Sequence, residues 1–152
     1  MRSSRLLDRR RTALVLIDVQ ERYRTVLHGW DRVSAACDLL LQGTQVLGIP
    51  TLVTEQYPRG LGHTAEELAR RFGRGVRVVE KQSLSCCGAP EFVEALASLG
   101  TRQVLVAGIE THACVNETVH DLLEAGYQVH LAADATSSRL AEDVAPAWAK
   151  ML

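Results

Sequence analysis

Five short runs of apolar and β-branched residues punctuate the chain: TALVLID (12–18), IPTLVTE (49–55), VRVVEK (76–81), QVLVAGI (103–109) and QVHLAAD (128–134). The first of them, continuously apolar, predicts a strand buried on both faces, and the other four read as further strands of the same sheet. Between the runs the apolar period changes. Val33, Ala36, Cys37, Leu40 and Leu41 share one helical face, with Asp31 as the expected N-cap and Gly48 at the end. TAEELARRF predicts a short helix opened by a Thr64–Glu67 capping box. APEFVEALASLG (89–100) and THACVNETVHDLLEAG (111–126) predict helices closed by glycine. RLAEDVAPAWAKML predicts a last helix, disturbed at Pro146. QYPRGLGH is expected to be loop, from its Pro and Gly.

Strand and helix alternating through short connections predict a three-layer α/β/α fold. The expected sheet is Rossmann-like, doubly wound and mostly parallel, with about five strands. No repeat or linker interrupts the pattern, so residues 1–152 are expected to form a single domain. In such sheets ligands bind beyond the carboxyl ends of the strands.

Composition adds limits. Hydrophobic residues make up 47% and charged residues 23% of the chain, and the net charge is −1. That balance gives no general attraction to nucleic acid or an anionic membrane. No apolar run approaches the roughly 20 residues of a membrane span. The four cysteines, Cys37, Cys86, Cys87 and Cys114, lack the spacing of a secreted disulfide framework. Together these predict a soluble, cytoplasmic protein with free thiols. MRSSRLLDRRR is expected to be a solvated, frayed N-terminus, with a transit peptide as the lesser reading.

Three strand ends carry reactive groups. The first run ends in Asp18, the third in Lys81, and the fourth leads through GIETHA to Cys114. Each has a bland reading when taken alone: a turn residue, a solvated cation, a small apolar residue in a helix. Converging on one sheet edge, they are the parts of a nucleophilic hydrolase. A thiol in the first helical turn faces unsatisfied N–H groups and the positive end of the dipole, which favours the thiolate, and a lysine favours it further. A carboxylate can take the thiol proton and pass it to a leaving amine. No G-x-G-x-x-G follows the first strand, so a dinucleotide-binding domain has no support.

The stretches ALVLIDVQERY, TLVTEQYPRGLGHTAEEL, VVEKQSLSCCG and VLVAGIETHACVNETVHDLLEAGYQVHLAADATSSR cover most of the chain. In this order they resemble the isochorismatase-like cysteine hydrolases, and TEQYPRGLG and ADATSSR are most similar to the isochorismatase-domain-containing subgroup. The resemblance implies a catalytic triad in which Cys114 is the nucleophile, Asp18 the general base and acid, and Lys81 the electrostatic partner. It also implies a non-proline cis peptide at Ile109–Glu110. The oxyanion hole would be formed by the backbone N–H groups of Glu110 and Cys114, with Gly108 giving the chain room to turn. Isochorismatases proper lack a cysteine at this position, so Cys114 favours cleavage of a small amide or related C–N bond through a thioester. The Asp-x-His metal motif of the related nicotinamidases is absent from TEQYPRG. No metal or other cofactor is therefore expected, and His63, His112, Cys86 and Cys87 read as polar or structural residues near the cleft. Gln20, Tyr57 and Leu84 are candidates to line the substrate pocket. The partners implied are a small-molecule substrate and other copies of the chain in a homo-oligomer. The family continues into a sixth, edge strand and a closing helix. The chain stops at Leu152, so a C-terminally shortened domain with an unpaired edge on strand five is expected. The alternative function, from a different class, is a catalytically inactive binding or scaffold module of the same fold.

Overall fold

Every residue of β1 (Thr12–Ile17) is buried, and a strand with no solvent face must lie inside a sheet covered on both sides. In the computed structural model, which describes residues 3 and 5–152, β1 is the central strand of five. The others are β2 (Thr51–Gln56), β3 (Val76–Lys81), β4 (Gln103–Ile109) and β5 (Gln128–Ser137), in the order β3-β2-β1-β4-β5. All neighbouring pairs are parallel. The helices are α1 (Trp30–Leu47), α2 (Pro58–Leu61), α3 (Glu66–Ala69), α4 (Pro90–Ser98), α5 (Asn116–Glu124) and α6 (Val144–Met151).

The pleat of β1 separates two cores. Ala13, Val15 and Ile17 pack with Phe92 and Leu96 of α4 and Val119 and Leu122 of α5. Leu14 and Leu16 pack on the other face with Val33, Cys37 and Leu41 of α1 and Leu68 of α3. The winding direction reverses between β1 and β4, because the chain leaves β3 at one edge and re-enters beyond β1. That reversal opens a crevice at the carboxyl ends of β1 and β4, where Asp18 and the Ile109–Glu110 peptide lie.

Several local expectations are corrected. Helix α1 is capped by Gly29 in the left-handed conformation, and Asp31 falls inside its first turn, where its charge suits the dipole. The Thr64–Glu67 capping box does not form. Thr64 gives both its N–H and its hydroxyl to the Glu55 carboxylate, at 2.7 and 2.8 Å, and Glu67 turns to Arg24 and Ser34. A buried carboxylate requires donors more than an exposed helix end does. The expected loop at QYPRGLGH contains α2, started by Pro58, whose fixed φ suits a first helical position. Pro146 falls within the first turn of α6, where a missing N–H costs no helical bond. Strand β5 runs three residues past the predicted 134, with a register shift against β4 between Val106 and Gly108.

The frayed N-terminus is corrected from Leu6 onward. Gln103 accepts the Asp8 N–H at 2.8 Å and donates to the Leu6 carbonyl at 3.0 Å, tying this segment to the sheet. Met1, Arg2 and Ser4 lie outside the described residues. Among the described residues, β5 is paired with β4 alone, and no helix is long and apolar enough to cross a membrane.

Candidate active site

Asp18 follows β1 directly and, among the described residues, is one of two non-glycine residues with positive φ, at 54°. Its backbone is held on both sides: its N–H donates to the Thr54 carbonyl at 3.1 Å, and its carbonyl accepts from Gln20 N–H at 2.8 Å. This conformation is sterically unfavourable for an L-residue and persists where surrounding bonds enforce it. The carboxylate that results is 2% exposed.

Lys81 ends β3, two strands away from β1. Two strand spacings are close to 10 Å, so a long side chain is needed to cross the end of β2. Its Nζ reaches to 2.8 Å from Asp18 Oδ2, with the lysine side chain fully buried. Nζ also donates to Gln56 Oε1 at 2.6 Å, the Ser83 carbonyl at 3.0 Å and the Leu84 carbonyl at 2.9 Å. Burial works to lower the lysine pKa, but the Asp18 carboxylate beside it works the other way, and Lys81 stands above its ordinary value. The site therefore contains a permanent ammonium. Such a pair is strongly destabilised if one member is removed, by roughly 3–5 kcal/mol.

Cys114 is the fourth residue after Glu110, inside a π-helical segment (Thr111–Val115) that leads into α5. It is 7% exposed and packs in the core face that also holds Ile17 and Cys86. Burial, then the Asp18 charge, push its thiol up to about 12. Lys81 opposes this, and a side-chain hydrogen bond to Asp18 adds to it. The lowering expected from the lysine and the helix end is thus opposed by burial and by the carboxylate beside the sulfur. Labelling of the unliganded protein with iodoacetamide should rise about tenfold per pH unit from neutral to pH 10, because only the thiolate attacks. Residue-resolved mass spectrometry checks this; a plateau at Cys114 near pH 7 would restore the thiolate.

The Ile109–Glu110 peptide is cis. Glu110 is buried, and its Oε1 accepts the Arg139 backbone N–H at 2.9 Å and Nε at 3.0 Å. The stretch ADATSSR thus wraps the turn that carries Cys114. Its Ser138 is hydrogen-bonded to His112 at 2.9 Å.

The remaining candidates separate. Gln20 does not line a pocket. It is fully buried, and its amide is spent on backbone, donating to the Gln56 and Gly62 carbonyls and accepting from Gln56 N–H. Its role is to hold the residue that contacts Lys81. Tyr57 and Leu84 are 48% and 46% exposed, and the part of Leu84 that meets the triad is its carbonyl. His63 pairs with Glu55 at 2.8 Å, and Cys86 is buried beside Thr54 and Thr118. Cys87 is half-buried and free. Among the described residues no three His, Cys, Asp or Glu gather as a metal site.

Three contributors went unread in the sequence. Gln56 contacts Lys81, and Thr54 donates to Asp18 Oδ1 at 2.7 Å. Tyr23 is half-buried; burial raises its phenol pKa, with the Glu110 and Asp18 carboxylates adding to this. The available signal was polarity at the end of an apolar strand, in TLVTEQ.

Comparison with known proteins agrees with this architecture. The isochorismatase domain model matches residues 12–152. The chain is 42% identical to isochorismatase domain-containing protein 1 of Salmo salar over 129 residues, which are 84% of this chain and 44% of that protein. It thus spans less than half of that relative. It is 39% identical to isochorismatase domain-containing protein 2 of Danio rerio over 138 residues, 90% of this chain and 68% of that one. A solved structure of MAR1 ribonuclease from Caenorhabditis elegans superposes with a TM-score of 0.90 at 34% identity, covering 95% of this chain and 74% of the other.

Proposed function

The chain belongs to the isochorismatase-like hydrolase family, and from that premise we propose that it is a cysteine hydrolase cleaving a small amide or related C–N bond through a thioester on Cys114. The observation that carries this reading is the buried ion pair of Asp18 and Lys81, at 2.8 Å, set against the Cys114 thiol. Burying three ionisable groups together costs stability, and hydrolytic chemistry is what such an arrangement supplies.

With burial and Asp18 holding the proton on sulfur, attack and proton transfer go together. Cys114 sulfur attacks the amide carbonyl carbon as its proton passes to the Asp18 carboxylate. Negative charge moves to the carbonyl oxygen, which the N–H groups of Glu110 and Cys114 receive. The C–N bond then breaks, and Asp18 hands its proton to the departing nitrogen. Water attacks the thioester, giving a proton to Asp18; the acid leaves and the proton returns to sulfur. Lys81 lies 2.8 Å from the Asp18 carboxylate that acts as base, and its ammonium charge stays in place through the cycle. No cofactor is needed for any of these steps.

The substrate is a small molecule on this reading. MAR1 has ribonuclease in its name, but a net charge of −1 gives this chain no general pull on a phosphate backbone. Self-association belongs to the same reading; among the described residues β5 is paired with β4 alone, and a sheet edge is a surface that can pair.

The test is a panel of small primary amides assayed for ammonia release, with intact-protein mass spectrometry for an acyl adduct. Cys114→Ala should lose turnover by at least about a hundredfold and form no adduct. Full turnover by that variant would refute the mechanism. A wild type without turnover or adduct would favour the inactive module.

A further inference from the structure

The Asp18 carboxylate presents two unequal oxygens. Oδ1 accepts the Thr54 hydroxyl at 2.7 Å, with both side chains buried. Oδ2 accepts nothing from Thr54 and lies 2.8 Å from Lys81 Nζ, which also donates to Gln56 Oε1 and to the Ser83 and Leu84 carbonyls. Thr54 therefore ties up one oxygen and leaves the other to the Lys81 ammonium and the Cys114 thiol. The same residue holds the Asp18 backbone, through its carbonyl at 3.1 Å. Its hydroxyl is directed in turn: the Cys86 thiol donates to Thr54 Oγ1 at 3.7 Å, and Cys86 is fixed by its own N–H on the Thr118 hydroxyl at 2.9 Å. Burial first, and then the Asp18 charge, push the Cys86 thiol up to about 12, so it remains a donor at neutral pH.

We propose that Thr54 is a positioning residue for the hydrolysis, orienting Asp18 so that Oδ2 is the oxygen that takes and returns the Cys114 proton. Cys86 supports it by committing the Thr54 hydroxyl to Asp18. This explains why a second buried cysteine stands beside the first without sharing its chemistry. A freely turning carboxylate would offer the wrong oxygen in part of its orientations, and Thr54 removes them before substrate arrives.

The inference rests on the amide-hydrolase reading, so the experiment has two arms. On an amide that the wild type turns over, Thr54→Val should lower kcat by on the order of ten- to a hundredfold, the usual worth of a hydrogen bond to a charged group. KM should hold, and Thr54→Ser should restore most of the rate. The second arm needs no substrate. Thr54→Val should lower the urea midpoint of the wild type by leaving Asp18 Oδ1 without its donor. It should leave the midpoint unchanged, or raise it, in an Asp18→Ala background, where the hydroxyl has lost its acceptor. Equal losses in both backgrounds would overturn the link between the two side chains. Unchanged kcat in Thr54→Val, or no rescue by serine, would overturn the positioning role. If valine prevents folding, Thr54→Ala carries the same comparisons without the branched side chain. A wild type inactive on every amide sinks the hydrolase reading and the positioning role with it, while the stability cycle still decides the Thr54–Asp18 link.

Discussion

Asp18→Asn should cost amide hydrolysis about a thousandfold, within the usual range for a lost general base, while making Cys114 easier to alkylate. The two effects have opposite signs because the carboxylate does two things to one sulfur. It accepts the proton when substrate is attacked, and its charge holds that proton on sulfur when no substrate is present. Burial and the Asp18 charge together set the thiol at about 12, with Lys81 pulling the other way. Asparagine removes the raising charge and leaves the ammonium, which keeps its acceptors on Gln56, Ser83 and Leu84. The thiol pKa must then fall, and iodoacetamide labelling at pH 7 should quicken by roughly tenfold or more. Parallel measurement of ammonia release and of Cys114 labelling decides the matter. Losing both together would mean that Asp18 serves the fold and not the proton.

Gly108→Ala should be the most damaging single-methyl addition in the sheet. Gly108 faces Ile17 across the β1–β4 pair, and its φ of 122° is one that side chains rarely adopt. An added Cβ would lie 2.1 Å from the Ile17 carbonyl oxygen and 2.6 Å from its nitrogen. Both are backbone atoms that cannot swing aside, so the strands must part. We expect a loss of about 3 kcal/mol or more, seen as a melting point lower by roughly 10 °C. Activity should fall further than stability explains, because Asp18 follows Ile17 and the Glu110 turn follows Gly108. Gly43→Ala is the matched control. Gly43 lies inside α1 with nothing within 4 Å of an added Cβ, and alanine there should stabilise by about 1 kcal/mol. Equal melting points for the two variants would contradict the close approach at Gly108.

The Asp18–Lys81–Cys114 constellation was legible because strand ends are legible: an apolar run stops, and the next polar residue stands at the binding edge. The resting state of Cys114 was not. The helix end and the lysine are visible along the chain, whereas burial and the side-by-side carboxylate are not, and those two set the thiol. Gln20 could be placed beside Asp18 from the sequence, but what it holds could not be read for a related reason. Its proximity to Asp18 suggested a substrate contact, but a fully buried amide must find partners, and the nearest were the carbonyls of Gln56 and Gly62. The capping box at Thr64 failed because Glu55, nine residues earlier, is a stronger claimant for the same donors.

By itself the sequence determined the layer architecture, the parallel sheet and the three reactive groups, because apolar period and strand-end polarity are local properties of a chain. Only the tertiary structure decided which oxygen of Asp18 Thr54 holds, how burial and the carboxylate bear on Cys114, and that Thr54 and Gln56 lie against the Asp18–Lys81 pair. Those facts depend on dielectric and on hydrogen-bond competition among residues distant in sequence, and neither exists until the strands are side by side.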